Sequence, residues 1–304
     1  MSTDTAVGGT AHTEGTLPFL KGHGTENDFV VLPDDDAAVD LTPALVRGLC
    51  DRRSGLGADG VLRISRASAL LARGVLDALP EGVAPDDWFM DYRNADGTTA
   101  EMCGNGVRVF AHALVDTGRA GAGTVRVGTR SGPRPADVRP GDAADGSEAV
   151  VGVDMGEPRV LGVTTVRLGG RRVAGLGVDV GNPHVACVVP GLDAVALAAL
   201  PVGEPPEFDH EFFPHGVNVE IATEPADGRV HMRVHERGAG ETHSCGTGIV
   251  ATAVAALADG GATDGEIDVV VPGGTVHVEL RDGRARMTGP SRLVARGRVL
   301  PVTR

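Results

Sequence analysis

Two cysteines stand in matching local settings. Cys103 opens the run CGNG and Cys245 opens CGTG, and a helix-forming apolar stretch follows each. A cysteine just before a helix faces first-turn amides that lack internal partners and carry partial positive charge. Such amides are expected to lower the thiol pKa and to offer a docking place for a carboxylate. The glycines let the backbone approach a ligand closely. Two such helix starts facing each other put a base and an acid on opposite faces of one carbon. The chemistry this suggests is cofactor-free inversion of an amino-acid α-carbon. One thiolate takes the proton and the opposing thiol delivers another. The substrate carboxylate then rests on the amides of Gly104, Asn105, Gly246 and Thr247, which need no reorganisation as charge develops.

The elements that must position these thiols are written twice. Residues 94–118 align with residues 236–260 at a constant offset of 142, so that Cys103 falls on Cys245, Gly104 on Gly246 and Gly106 on Gly248. A strand is expected before each block, at 88–93 and 230–235, and a helix after each, at 107–116 and 249–259. A weaker echo sets Asn27 and Asn182 each at the start of an apolar strand. The chain therefore reads as two similar domains, each supplying one Cys-Gly-x-Gly-helix unit. Further Val-rich runs bounded by Gly and Pro read as short strands, at 29–32, 61–64, 125–127, 150–153, 176–180, 185–189, 217–222, 267–271 and 275–280. A third helix is expected at 43–51. Residues 67–87 read as a surface insertion with some helix, and 131–147 as a long hairpin tip rich in Gly and Pro.

Composition narrows the function. A formal charge of −13 argues against nucleic acid or an anionic membrane as partner. No run of 18 apolar residues is present, and residues 1–16 lack the order of a secretory signal. They read as a disordered tail on a cytoplasmic protein. The four cysteines (Cys50, Cys103, Cys187, Cys245) include no Cys-x-x-Cys pair, which disfavours a metal site. Asn94-x-Asp96-Gly97 lacks the remaining spacing of a calcium loop, and Gly238-x-Gly240 is not a dinucleotide fingerprint.

Five motifs in order, HGTENDF at 23–29, NADGTTAEMCGNG at 94–106, GNPH at 181–184, GVNVE at 216–220 and ERGAGETHSCGTG at 236–248, closely resemble diaminopimelate epimerase. The resemblance implies an α+β fold of two pseudo-symmetric domains, each a mixed β-sheet wrapped around a central helix, with the site between them. The expected boundaries are 17–154 plus 288–304 for the N-terminal domain and 155–287 for the C-terminal one. It implies interconversion of LL- and meso-diaminopimelate in lysine and peptidoglycan precursor synthesis, without pyridoxal phosphate or metal. Matched by position, Cys103 and Cys245 are the acid and base pair, and His184 and Glu236 lie close to the reacting centre. Asn27, Asn94, Asn182, Asn218 and Arg237 are matched to substrate contacts, with Arg237 suited to a remote carboxylate.

This sequence also departs from the family pattern. Gly60 stands where relatives often carry Gln, Thr25-Glu26 replaces a more usual Leu-Gly, and Ala295 takes the place of an interface tyrosine. The last weakens an inference of a homodimer. The alternative is a racemase or epimerase of proline or hydroxyproline on the same scaffold. Asn94, Asn218 and Arg237 favour a substrate with a second amino-acid head.

Overall fold

The protein is described here by a computed structural model covering residues 15–300. All but the last two residues of the expected tail lie outside the described residues. The first unit comprises β1 (Leu17–Gly24), β2 (Asn27–Pro33), α1 (Pro43–Cys50), β3 (Gly60–Arg66), α2 (Ala67–Ala72), β4 (Trp88–Asn94), α3 (Gly104–Asp116), β5 (Gly123–Thr129), β6 (Gly132–Pro140) and β7 (Glu148–Gly156). The second comprises β8 (Arg159–Leu168), β9 (Arg171–Asp179), β10 (Pro183–Val189), α4 (Ala194–Ala198), β11 (Asn218–Thr223), β12 (Arg229–Glu236), β13 (Gly240–Thr242), α5 (Gly246–Asp259), β14 (Gly265–Val271) and β15 (Gly274–Arg281). The long β16 (Arg284–Val299) serves both.

Strands β1 to β7 pair in chain order, and β16 joins β7 back to β1, so eight strands close around α3. The second sheet runs β16-β15-β14-β12-β11-β10-β9-β8 and wraps α5. Each unit contains two parallel pairings among antiparallel ones: β2–β3 and β4–β5 in the first, β10–β11 and β12–β14 in the second. The repeat extends beyond the sequence match. β5 begins at Gly123 and β14 at Gly265, β6 at Gly132 and β15 at Gly274, at the same spacing as the two cysteines.

The central helices are buried because their sequences leave no wet face. α5 reads GTGIVATAVAALAD, apolar on nearly every side, and residues 246–256 are buried. α3 carries Arg108 and His112 among its apolar residues, and both are buried. Their polar atoms are met from β16: Arg108 donates to the Pro290 carbonyl, and His112 bonds Ser291. Burial of such groups is tolerable when their hydrogen bonds are made.

Three expectations needed correction. The segment 131–147 is mostly strand, since β6 crosses it and pairs with β5 and β7. Pro133 and Pro135 disguised it. Both lie before the β7 pairing begins at Ala136, where β6 has one neighbour and a missing N–H is affordable. The segment 67–87 is more than a surface insertion: Ala67, Leu70, Leu76 and Val83 bury an apolar cluster with Ala37 and Phe89. Strands β1, β8 and β16 were also not expected. β16 interleaves inward Ala285, Met287 and Leu293 with outward Arg284, Arg286 and Arg292, so its charge hides its alternation.

Candidate active site

Both cysteines are N-caps. Cys103 is extended (φ −146°, ψ 117°) and accepts the Gly106 N–H at 3.4 Å, while Cys245 caps α5 with φ −123° and ψ 113°. The two helix starts touch. The Asn105 side-chain amide donates to the Ser244 carbonyl at 3.2 Å and its hydroxyl at 3.1 Å. Thr25 Oγ1 meets Ser244 Oγ at 2.7 Å and takes a hydrogen bond from Arg108 at 3.0 Å. Thr25 and Glu26 adopt positive φ (50° and 62°), which only Gly takes without cost. Contacts to the other unit offset it: the Thr25–Ser244 bond and a Glu26–His243 pair at 2.8 Å.

Where these helix starts meet, a cavity of about 660 Å³ opens. Cys103, Cys245, Gly104, Gly246 and Thr247 line it, with Asn27, Asn94, Asn182, Glu236 and Arg237. Asn105, Asn218 and His184 do not; they stand behind the wall. Asn105 ties the helix starts together, as above. Asn218 Oδ1 accepts the Arg237 backbone N–H at 2.9 Å and so fixes the loop carrying Arg237. His184 is fully buried and meets the cavity only through Asn182, whose Oδ1 lies 3.1 Å from Nε2. Its other nitrogen is 2.7 Å from Glu220.

The expectation of a depressed thiol pKa is overturned. Burial pushes Cys103 up to about 11, against the opposing pull of the Gly106 and Asn105 amides. Cys245 is raised well above its ordinary value by burial and by the negative charges of Glu236 and Glu220. Loss of water around a thiolate outweighs what a few helix amides return. Burial likewise raises Glu236, whose carboxylate takes a hydrogen bond from Thr242.

Each thiol has a different neighbour. Asn27 Oδ1 sits 3.7 Å from Cys103 Sγ, and Asn27 Nδ2 donates to Asp59 at 2.8 Å. Asp59 is in turn gripped by Arg52 at 2.7 Å. Cys245 Sγ lies 3.5 Å from Thr247 Oγ1, beside Glu236. Gly248 is glycine for a visible reason: a Cβ there would stand 2.5 Å from Glu220 Oε1.

The family model described as diaminopimelate epimerase matches residues 19–161 and 177–294. The chain belongs to the diaminopimelate epimerase family. It is 58% identical over 281 residues to the diaminopimelate epimerase of Rhodococcus opacus (strain B4), spanning 92% of this chain and 96% of the relative. With that of Mycolicibacterium smegmatis it shares 57% over 283 residues, spanning 93% and 97%. Among solved structures it resembles an Agrobacterium vitis hydroxyproline epimerase (TM-score 0.63, 16% identity, 95% of this chain and 94% of the other). It also resembles a Bacillus anthracis phenazine biosynthesis protein (TM-score 0.62, 14% identity, 94% and 99%). These distant likenesses show the fold: two domains of mixed sheet around central helices, as in other diaminopimelate epimerase-like proteins.

Sequence reasoning missed several residues of the wall in this family member. Tyr92, Met102, Asp59, Arg52, Thr242 and Ser244 all line the cavity. Tyr92 and Ser244 sit within two residues of expected site residues, and that proximity was the available signal. Arg52 carried none, because it reaches the site from the loop after α1.

Proposed function

We propose that this protein inverts one stereocentre of diaminopimelate, interconverting the LL and meso forms with Cys103 and Cys245 as acid and base. The observation that carries the reading is the convergence of two N-capping thiols, one from each unit, on one cavity. The family's shared name and the near-complete coverage of its relatives support the substrate.

The chemistry follows from the wall. The α-carboxylate docks at the start of α3 and α5, near the unpaired first-turn amides around Gly104, Gly246 and Thr247. The incoming α-ammonium supplies the positive charge that brings a buried thiol down toward ionisation, its proton leaving to solvent. The resulting thiolate takes the α-proton, and the C–H electron pair passes into the carboxylate as an enediolate held by those amides. The opposite thiol then gives its proton to the other face of the carbon. Sulfur protonation is exchanged between the two cysteines, so the reverse reaction starts from the product state.

Asn27 and Asn182 flank the reacting end, Asn27 held by Asp59 in the cavity wall and Asn182 by His184 behind it. Glu236 keeps Cys245 protonated as the resting acid. Asn94 and Arg237 bind the second amino-acid head, the guanidinium gripping its carboxylate. His184 and Asn218 are positioning residues, and Asn105 holds the helix starts in register. Free cysteines of this kind persist in a reducing compartment, so we place the enzyme in the cytoplasm.

The test is α-proton exchange in deuterium oxide with LL-diaminopimelate, beside proline and 4-hydroxyproline. Deuterium at the α-carbon with inversion is expected for diaminopimelate alone. Turnover of the cyclic amino acids in its place overturns the substrate assignment and leaves the two-thiol chemistry standing.

A further inference from the structure

The cavity wall contains one polar group to which nothing above gives a task. Tyr92, the only tyrosine in the chain, lies on β4 two residues before Asn94, on the same face of the strand. Its ring is packed edge-on against Phe29, with centroids 5.9 Å apart, and the residue is 9% exposed. Among the described residues its hydroxyl has no hydrogen-bond partner, yet it is not sealed off, because Tyr92 lines the cavity. A buried aromatic ring that presents its phenol to a cavity is apolar where it packs and polar where a ligand arrives.

Gly60 explains how the ring fits. It lies on β3, paired with Asn94, and a Cβ there would stand 2.6 Å from Tyr92 Cε2 and 2.5 Å from the Arg93 carbonyl. A side chain at position 60 is therefore admitted only if the tyrosine ring or the Arg93 backbone shifts. The groups that act on the phenol electrostatically are Cys103, Glu236, Asp59 and Cys245, which places it at the reacting end of the cavity. Burial holds the phenol well above its ordinary pKa, and Cys103, Glu236, Asp59 and Cys245 push it the same way when they are ionised. It therefore remains a donor and does not serve as a base.

We propose that Tyr92 is a substrate-binding residue whose hydroxyl donates a hydrogen bond to a carboxylate of the bound amino acid, its ring seated where Gly60 presents no Cβ. The inference rests on the two-thiol reading above for the identity of the ligand. A donor to a charged acceptor is worth more than a neutral pair, and deleting it also leaves the carboxylate short of a partner.

Tyr92→Phe removes the hydroxyl and keeps the ring against Phe29. The expected result is a fall of about 10- to 100-fold in kcat/KM for diaminopimelate, with the melting temperature unchanged. Wild-type kcat/KM in that variant overturns the inference. Because the chain has one tyrosine, labelling with ¹³Cζ-tyrosine gives a single carbon signal in the unmutated protein. That signal should move saturably as diaminopimelate is added. No movement at concentrations that saturate turnover overturns the inference without recourse to a variant. If the unmutated enzyme neither exchanges nor inverts diaminopimelate, the function reading fails by itself, and the two failures are distinguishable.

Discussion

A Cβ placed on Gly246 would stand 3.2 Å from the backbone nitrogen of Asn105, so the first turns of α5 and α3 are in direct contact. The two helix starts are thus registered by a glycine. Gly246→Ala forces the neighbour to give by a few tenths of an ångström and moves one thiol relative to the other. Catalysis is steeply sensitive to misplacement of reacting groups, about a hundredfold per ångström. We expect roughly a tenfold loss of kcat with little change in thermal stability, read from epimerisation rates and melting curves side by side.

The proposed scheme requires both thiols for inversion. Cys103→Ala and Cys245→Ala should each reduce epimerisation by about a thousandfold or more, and the double variant should be scarcely worse, since the two act as a unit. Circular dichroism should show both variants folded. Substantial inversion by either single variant rules out the paired scheme.

Glu236 adds to burial in raising the pKa of Cys245. Removing its charge in Glu236→Gln lowers the pKa of Cys245, so iodoacetamide should modify that thiol faster at pH 8 in the variant than in the parent. Peptide mapping of the alkylated protein identifies the site. Unchanged or slower labelling of Cys245 contradicts the assigned role.

Arg237 is expected to act on binding more than on chemistry. Lysine keeps the charge and loses the planar fork. Arg237→Lys should raise KM for diaminopimelate about tenfold or more, with kcat changed less. A loss confined to kcat would place Arg237 at the reacting carbon instead.

Alkaline instability follows from the thiols. Burial raises Cys103 to about 11 and Cys50 and Cys187 each to about 12, against an ordinary value of 9.0. A group with a raised folded pKa keeps its proton in the native state while the unfolded chain releases it. Unfolding then gives off protons between pH 9 and 12, and stability is fully present below pH 9 and falls through that window. Denaturant midpoints should drop as pH rises from 9, and Cys187→Ala should flatten the slope. A flat profile between pH 9 and 11 contradicts this.

The chemistry of this protein is carried by short-range sequence. A cysteine, two glycines and an apolar helix suffice to mark an N-cap site, and repetition at one spacing suffices to mark two units. Cys103, Cys245, Gly104 and Gly246 were legible on that basis, and Asn27, Asn94, Asn182, Glu236 and Arg237 only through the resemblance to diaminopimelate epimerase; all of them line one cavity. Ionisation was not legible, because desolvation sums over neighbours brought from many strands. The local helix amides pointed to a lowered pKa, and the assembled wall produced a raised one. Nor could sequence separate a residue that faces the ligand from one that supports it: His184 and Asn218 resemble Asn182 as motif members, yet they stand behind it. The sharing of β16 between both sheets and the seating of the Tyr92 ring against Gly60 exist only once strands distant in sequence are paired. Spacing along the chain determines which groups are available. Their solvation, and the faces they turn to the cavity, are set by distances between residues remote in sequence.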